Sequence, residues 1–304
     1  MMSDAFCAAV DWGSTNLRIR VLDLHGHLLG KFESDEGLIQ LTDRNFERTL
    51  ERHLEDLGAG KSLPVVICGM AGSRQGWREV PYLEIPAGLA DIPGAALRVD
   101  GTARPIHILP GLSQRRPSAD VMRGEETQLL GLSEEREIDG VVCIPGTHSK
   151  WVRMQSGRIE SFSTFMTGEV FSLLRKHSLL RFSVTDNDTQ LFSRAAFSTA
   201  VTDIFETPAK FGEALFAIRG EGLLNDLQPE DATARLSGLC IGLELAGARP
   251  FLQSGTVELV ASGVHAELYG QALKILNVSF RISDAFEASR RGLFRAAREI
   301  YGTA

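Results

Sequence analysis

Residues 5–24 read AFCAAVDWGSTNLRIRVLDL. The apolar run ahead of Asp11 has the length and composition of a buried strand. The polar cluster at residues 11–16 breaks it, and Gly13 suits the tight turn such a break needs. Alternation resumes in NLRIRVLDL as a second strand, and HGHLLGKFES gives a turn and a third. Residues 140–165 repeat the plan. GVVCIPG reads as a strand, THS as a turn, and KWVRMQSGRIESFSTF as two strands around the turn at residues 155–157. Two strand–turn–strand–turn–strand meanders in one chain point to a duplicated domain.

The length, 304 residues, supports that division, because single cores stop growing near this size. The charged segment SEEREID, between Leu132 and Asp139, is the expected boundary, giving domains 1–135 and 136–304. Apolar spacing predicts helices at 44–57, 168–180, 211–218, 232–248, 266–276 and 284–301. PVVICGM, PIHILPG, TVELVAS and ILNVSF read as further strands.

Composition narrows the function. Hydrophobic residues make up 43% and charged residues 23%, as in ordinary globular proteins. The net charge of −7 argues against nucleic acid or an anionic membrane as partner. No apolar run is long enough to span a bilayer, and the N-terminus lacks a secretion signal, so a cytoplasmic location is expected. Cys7, Cys68, Cys143 and Cys240 lie far apart, without metal-ligand spacing, and three sit in strand-like apolar runs. They read as core residues.

Three strand-to-turn junctions carry chemistry. In the first, Asp11 is followed by Gly13, Ser14, Thr15 and Asn16, which offer backbone and side-chain donors to phosphate. Asp11 suits a water-mediated Mg²⁺ contact, although the same pattern also describes a plain polar hairpin. Gly146, Thr147, His148, Ser149 and Lys150 repeat the design after the strand VVCIP. There Lys150 reads equally as a surface charge and His148 as a turn residue. In the third, a strand runs through Ser262 and Gly263 into a helix, where the backbone can approach a flat ring or ribose. The order phosphate, phosphate, adenosine resembles the actin, hsp70 and sugar-kinase superfamily. The resemblance implies an α/β fold of two ribonuclease-H-like (actin-like) domains. Each would be a mixed five-stranded sheet with flanking helices, with an active-site cleft between the two.

Longer stretches resemble one family, the 2-dehydro-3-deoxygalactonokinases. They include VDWGSTNLRIRVLD, CGMAGSRQGWREVPYLEIPAG, ILPGL, DVMRGEETQLLGL, IPGTHSKWVRM and FSTFMTGEVFSLLRKHSLL, with SGLCIGLELAGA and ASGVHAELYGQAL further on. The resemblance implies ATP and Mg²⁺ as cofactors, and transfer of the γ-phosphoryl group to the 6-hydroxyl of 2-dehydro-3-deoxy-D-galactonate; a kinase of another sugar, sugar acid or amino sugar on the same fold, or an actin-like nucleotide switch, is the alternative. A homodimer is a plausible assembly. The substrate carboxylate calls for an arginine. Gly72, Ser73, Arg74 and Trp77 form a polar, glycine-rich loop after a buried strand, so Arg74 is the first choice, with Arg18 and Arg123 in reserve. An ordinary surface loop, with Trp77 as packing, is the alternative. Thr164, Thr167 and Glu169 form a second polar stretch, and Thr167 is assigned to substrate. The superfamily's catalytic carboxylate follows a glycine at a helix start. Here the matching pair is Gly124-Glu125 where the pattern has Gly-Asp, so Glu125 is the expected base, with Asp120 as the alternative.

Overall fold

The computed structural model describes residues 4–41, 44–186, 195–253 and 255–302. The chain divides into two compact units. The first comprises Met1–Asp139, Met154–Ser161 and Ala285–Ala304, and the second comprises Gly140–Arg153 and Phe162–Asp284.

In the first unit, β1 (Ala5–Trp12), β2 (Leu17–Asp23) and β3 (Leu28–Ser34) form the expected meander. Helix α1 (Phe46–Asp56) follows, started by Asn45, whose side chain accepts the Arg48 N–H at 3.1 Å. Next come β4 (Val65–Gly69), β5 (Leu83–Glu84), β6 (Ala87–Gly88), α2 (Asp91–Gly94), β7 (Leu97–Arg98), β8 (Ile106–Ile108), β9 (Leu112–Gln114), β10 (Asp120–Met122) and α3 (Glu125–Leu132). The main sheet runs β3-β2-β1-β4-β8-β7, so the two-residue edge strand β7 extends the expected five strands to six. β1 is antiparallel to β2 and parallel to β4. A small sheet, β10-β9-β5, lies apart from it in the strand order. One face of the main sheet buries Val10, Trp12, Leu17 and Ile19 with Phe46, Leu50 and Leu54 of α1.

In the second unit, β11 (Gly140–Ile144), β12 (Ser149–Gln155) and β13 (Arg158–Phe165) form the other meander. Helices α4 (Thr167–His177), α5 (Ala195–Glu206), α6 (Phe211–Leu224), α7 (Pro229–Gly247) and α8 (Arg249–Leu252) follow, then β14 (Val257–Val260), α9 (Gly263–Ile275) and β15 (Phe280–Ser283). The strand order is β15-β14-β11-β12-β13, with β11, β14 and β15 parallel. It repeats the third-second-first-fourth-fifth order of the first unit, as duplication requires. Cys143, Trp151, Leu245, Leu259 and Tyr269 share its core. All four cysteines are free and buried. Among the described residues no helix is long and apolar enough to cross a membrane.

Three expectations change. The strand expected at ILNVSF begins only at Phe280, because α9 continues to Ile275. The turn of the second meander, Met154–Ser161, clusters with the first unit, where Arg158 and Ile159 pair with Gly88 and Ala87. The last helix, α10 (Ala285–Tyr301), also joins the first unit rather than the second. Its reason is a close crossing with α3. A Cβ on Gly131 would overlap the Ala288 carbonyl, and one on Gly292 would overlap the Thr127 carbonyl. Arg295 and Arg298 then bond Ser133 and Glu134 at 3.0 and 2.8 Å, and the Tyr301 hydroxyl donates to the Val65 carbonyl at 2.8 Å.

Candidate active site

In the first unit, three acidic side chains gather where β1 and β4 end. Parallel pairing sets Asp11 beside Cys68 and Trp12 beside Gly69. Gly69 has φ +88°, and a Cβ there would lie 2.6 Å from the Trp12 carbonyl oxygen, so only glycine lets the chain turn this closely. Gly124, at φ +110°, stacks on Gly69 and starts α3. Glu125 accepts the Arg123 N–H at 3.0 Å, and Glu126 accepts the Gly124 N–H at 2.7 Å and the Thr127 hydroxyl at 3.0 Å. Both carboxylates thus satisfy donors at the helix start.

Burial drives the electrostatics. It pushes the Asp11 carboxyl up, Arg18 and Arg20 pull it down, and Glu125 pushes it up again. Arg18 lies 3.6 Å from Asp11, whose side chain keeps 19% of its surface open to solvent. Glu126 is fully buried, and burial followed by the Glu125 charge raises it to about 7. Cys68, beside both Asp11 and Glu126, is held far above the usual thiol range.

The turn after Asp11 is closed by the Gly13 N–H, which donates to the Asn16 carbonyl at 2.8 Å. Gly37, Leu38 and Ile39 bond the carbonyls of Thr15, Gly13 and Ser14, so the segment lies on the turn and leaves Ser14, Thr15 and Asn16 exposed. Gly13 therefore shapes the turn, and the side chains of the next three residues face outward.

The substrate loop differs from expectation. Arg74 is 79% exposed and pairs with Glu79 at 3.4 Å, facing solvent. The Ser73 hydroxyl is spent on the Met70 carbonyl at 2.8 Å. Trp77 packs on the core and stacks on Phe46, which is the packing alternative. Gly72 makes room for Arg123, since a Cβ would lie 2.7 Å from its Nη1. Arg123 lies over the Tyr82 ring, with its guanidinium carbon 4.3 Å from the ring centre, and donates to the Val80 carbonyl at 2.8 Å. Its Nε and Nη1 are buried without a hydrogen-bond partner. Arg18 is engaged by Asp11 and Glu33 and lies over Phe286. Asp120, on β10, accepts the N–H of Val121 at 2.7 Å, and the charged groups acting on Asp11 are Arg18, Arg20 and Glu125.

The second unit holds the other two junctions. After β11, Gly146 and Thr147 lie under Gly168, where a Cβ would meet the Thr147 Cα at 2.9 Å. The Glu169 N–H donates to the Thr147 carbonyl at 3.0 Å, and His148 meets the Glu169 carboxylate at 2.5 Å. Lys150 is buried, not a surface charge, and its amine bonds the His148 carbonyl at 3.1 Å. The Ser149 hydroxyl is fully buried against Tyr269 at 2.9 Å. Gly263 has φ +57° and opens α9, while Ser262 bonds Asp284 at 2.8 Å. A cavity of about 180 Å³ lies between these junctions, lined by Gly146, Thr167, Gly168, Val264, His265 and Tyr269 among others. Thr167 therefore belongs with the second turn, not with the loop after β4.

The sequence reading set Glu126 apart from Glu125 because it lies about 100° further round the helix, and it missed Glu244. Glu244 accepts from Trp151 Nε1 at 2.8 Å and from the Tyr269 hydroxyl at 2.6 Å. Its one signal is an acid inside the apolar stretch SGLCIGLELAGA. Among the described residues no group of three or more His, Cys, Asp or Glu could hold a metal ion.

A protein of Rhizobium meliloti (strain 1021) named probable 2-dehydro-3-deoxygalactonokinase is 45% identical over 306 residues, 99% of each chain. The 2-dehydro-3-deoxygalactonokinase of Escherichia coli (strain K12) is 36% identical, covering 95% of this chain and 97% of its own. A crystal structure from Sinorhizobium meliloti described under the same enzyme name superposes with TM-score 0.92 at 45% identity, covering 97% of this chain and 99% of its own. The two chains share one α/β fold. The model of 2-keto-3-deoxy-galactonokinase matches residues 11–296, and the chain belongs to that family.

Proposed function

We propose that the protein transfers the γ-phosphoryl group of ATP to the 6-hydroxyl of 2-dehydro-3-deoxy-D-galactonate. Family membership supports the reaction class, a phosphotransferase with an alcohol acceptor. The observation that carries the residue assignment is the meeting of Asp11, Glu125 and Glu126 at one strand-end crossing. Glu125 takes the proton of the 6-hydroxyl. The freed oxygen attacks phosphorus, the bond to the bridging oxygen breaks, and ADP leaves. Glu126 is fully buried and so unsuited to touch substrate. Arg123, with two unpartnered nitrogens, replaces Arg74 as the group for the substrate carboxylate.

The residues present fit Mg²⁺. Asp11 offers one partly open carboxylate without a protein cage, and Mg²⁺ keeps most of its waters and binds one or two carboxylates beside phosphate. When bound, the ion neutralises charge developing on the phosphates. In the first unit Ser14 and Thr15 offer donors suited to phosphate, and in the second unit Thr147 does the same, while the cavity beside Gly263 takes a flat base; its about 180 Å³ is short of a whole nucleotide. The enzyme works in the cytoplasm on a small sugar acid, without nucleic-acid or membrane partners. Exposed Phe216, Leu223 and Leu224 on α6 support a homodimer.

The test is ADP release with a panel of keto-deoxy sugar acids. Turnover should need a sugar acid and be fastest with the galactonate-derived one. ATP turnover that no sugar acid stimulates would refute the reading.

A further inference from the structure

The second unit contains a carboxylate whose hydrogen bonds reach the phosphate turn through two hydroxyls. Glu244 is 2% exposed, in the last turn of α7. The indole N–H of Trp151, which can only donate, bonds its Oε1 at 2.8 Å. The Tyr269 hydroxyl bonds its Oε2 at 2.6 Å. Ser149 lies 2.9 Å from that hydroxyl, and Thr167 and Ser149 also hydrogen-bond toward the carboxylate. The group thus joins β12, α4, α7 and α9. Tyr269 and Thr167 line the cavity together with Gly146.

Burial pushes the Glu244 carboxyl up, and the hydrogen bonds from Thr167, Tyr269, Trp151 and Ser149 pull it back down; in its ionised form it sets the directions of these bonds. An ionised carboxylate only accepts. The one proton of Tyr269 therefore goes to Glu244, and the one proton of Ser149 points inward, to Tyr269 or to Glu244. Ser149, counted among the phosphate donors from the sequence, has no proton left for phosphate. Apolar side chains would fill this site at lower cost than a buried charge, so packing alone does not explain Glu244.

We propose that Glu244 is a positioning residue for the nucleotide. It locks the Ser149 hydroxyl inward through Tyr269 and so holds the Gly146–Ser149 turn with Thr147 and the backbone N–H groups toward the phosphates. The inference rests on the proposed role of that turn. In Glu244→Gln the amide can donate to Tyr269, which reverses the chain of hydrogen bonds and frees the Ser149 proton. Tyr269→Phe cuts the same chain while keeping the ring.

The test uses the full-length protein and calorimetric titration with a non-hydrolysable ATP analogue, alongside the KM for the sugar acid. Each single variant should weaken nucleotide binding about tenfold, equivalent to about 1.4 kcal/mol. The double variant should lose no more than the weaker single, since both cut one relay. The KM for the sugar acid should not move. Thr147→Ala tests the turn itself and should also weaken the nucleotide. If Thr147→Ala weakens binding while both Glu244→Gln and Tyr269→Phe bind normally, the positioning role is wrong and the turn's role stands. Additive losses, or a parallel rise in sugar-acid KM, would show general loosening and overturn the proposal. Normal binding in Thr147→Ala would remove the turn from the phosphate site, and the proposal with it. Should Glu244→Gln not fold, Tyr269→Phe carries the same comparison.

Discussion

Glu125→Gln separates charge from shape at the proposed base. Glu125 is the first residue of α3, and its Oε2 accepts the Arg123 N–H at 3.0 Å. A glutamine oxygen can accept the same bond, so the helix start and the Arg123 backbone stay in place. What disappears is the proton acceptor. Loss of a general base costs on the order of 10²–10⁴-fold in kcat, or about 2.7–5.4 kcal/mol of transition-state stabilisation. The change has a second consequence at Asp11. Glu125 is one of the groups that push the Asp11 carboxyl up, so its neutralisation favours ionised Asp11. Nucleotide affinity in the presence of Mg²⁺ should therefore be held or improved while kcat collapses. A coupled assay of ADP release at saturating sugar acid gives kcat, and titration with a non-hydrolysable analogue gives affinity. Asp120→Asn, which removes a charge from β10, should keep kcat within about threefold. A Glu125→Gln enzyme with near-normal kcat, beside an inactive Asp120→Asn enzyme, would refute the assignment.

Arg123→Ala should raise the KM for the sugar acid by the roughly 2–5 kcal/mol of a broken buried charge pair, whereas the solvent-facing Arg74→Ala should leave it unchanged; the reverse ranking in steady-state kinetics would return the carboxylate to the loop. Glu126 sits at about 7 against an ordinary 4.5, so the folded chain holds its proton more tightly and stability falls as pH rises through that window. Glu126→Gln has no proton to lose, so its melting temperature relative to wild type should climb between about pH 4.5 and 7; a constant difference across that range would count against the raised value. Gly292→Ala puts a methyl into the Thr127 carbonyl, so overpacking of about 1–3 kcal/mol should outweigh a helix-propensity gain of up to about 1, and calorimetry showing a raised melting temperature would contradict the close crossing.

Much of this was legible in the residues. The first meander is readable because apolar strands are separated by turn chemistry, and the second because it repeats the plan. The first unit's expected five-stranded sheet needed only the β7 edge added, while the strand order came from the fold. Three things were not legible. Amphipathic spacing shows that α10 has a buried face but not which sheet covers it, and the partner is named only by the Gly131–Gly292 contact. Arginine near a glycine-rich loop is a weak signal, because exposure decides whether it can act. Arg74 turns to solvent, while Arg123 gains its niche from Gly72, fifty-one residues away along the chain. Glu244 carries no motif, since its role depends on Trp151 and Tyr269, which only the tertiary fold brings to it.

The return of α10 to the first unit bears on how the chain is made. Translation proceeds at about 5–20 residues per second, and domains usually fold in the order they emerge. Here residues 1–139 appear first but lack the helix that covers α3 and reaches Val65 through Tyr301. The second unit's strands and helices are all synthesised before that helix exists. The later-made half can therefore mature while the earlier half waits, for roughly ten to thirty seconds, with one face of its sheet uncovered. That interval is when a chaperone would find its binding surface, and a stop codon just before residue 285 would leave the older half, not the younger, permanently unfinished.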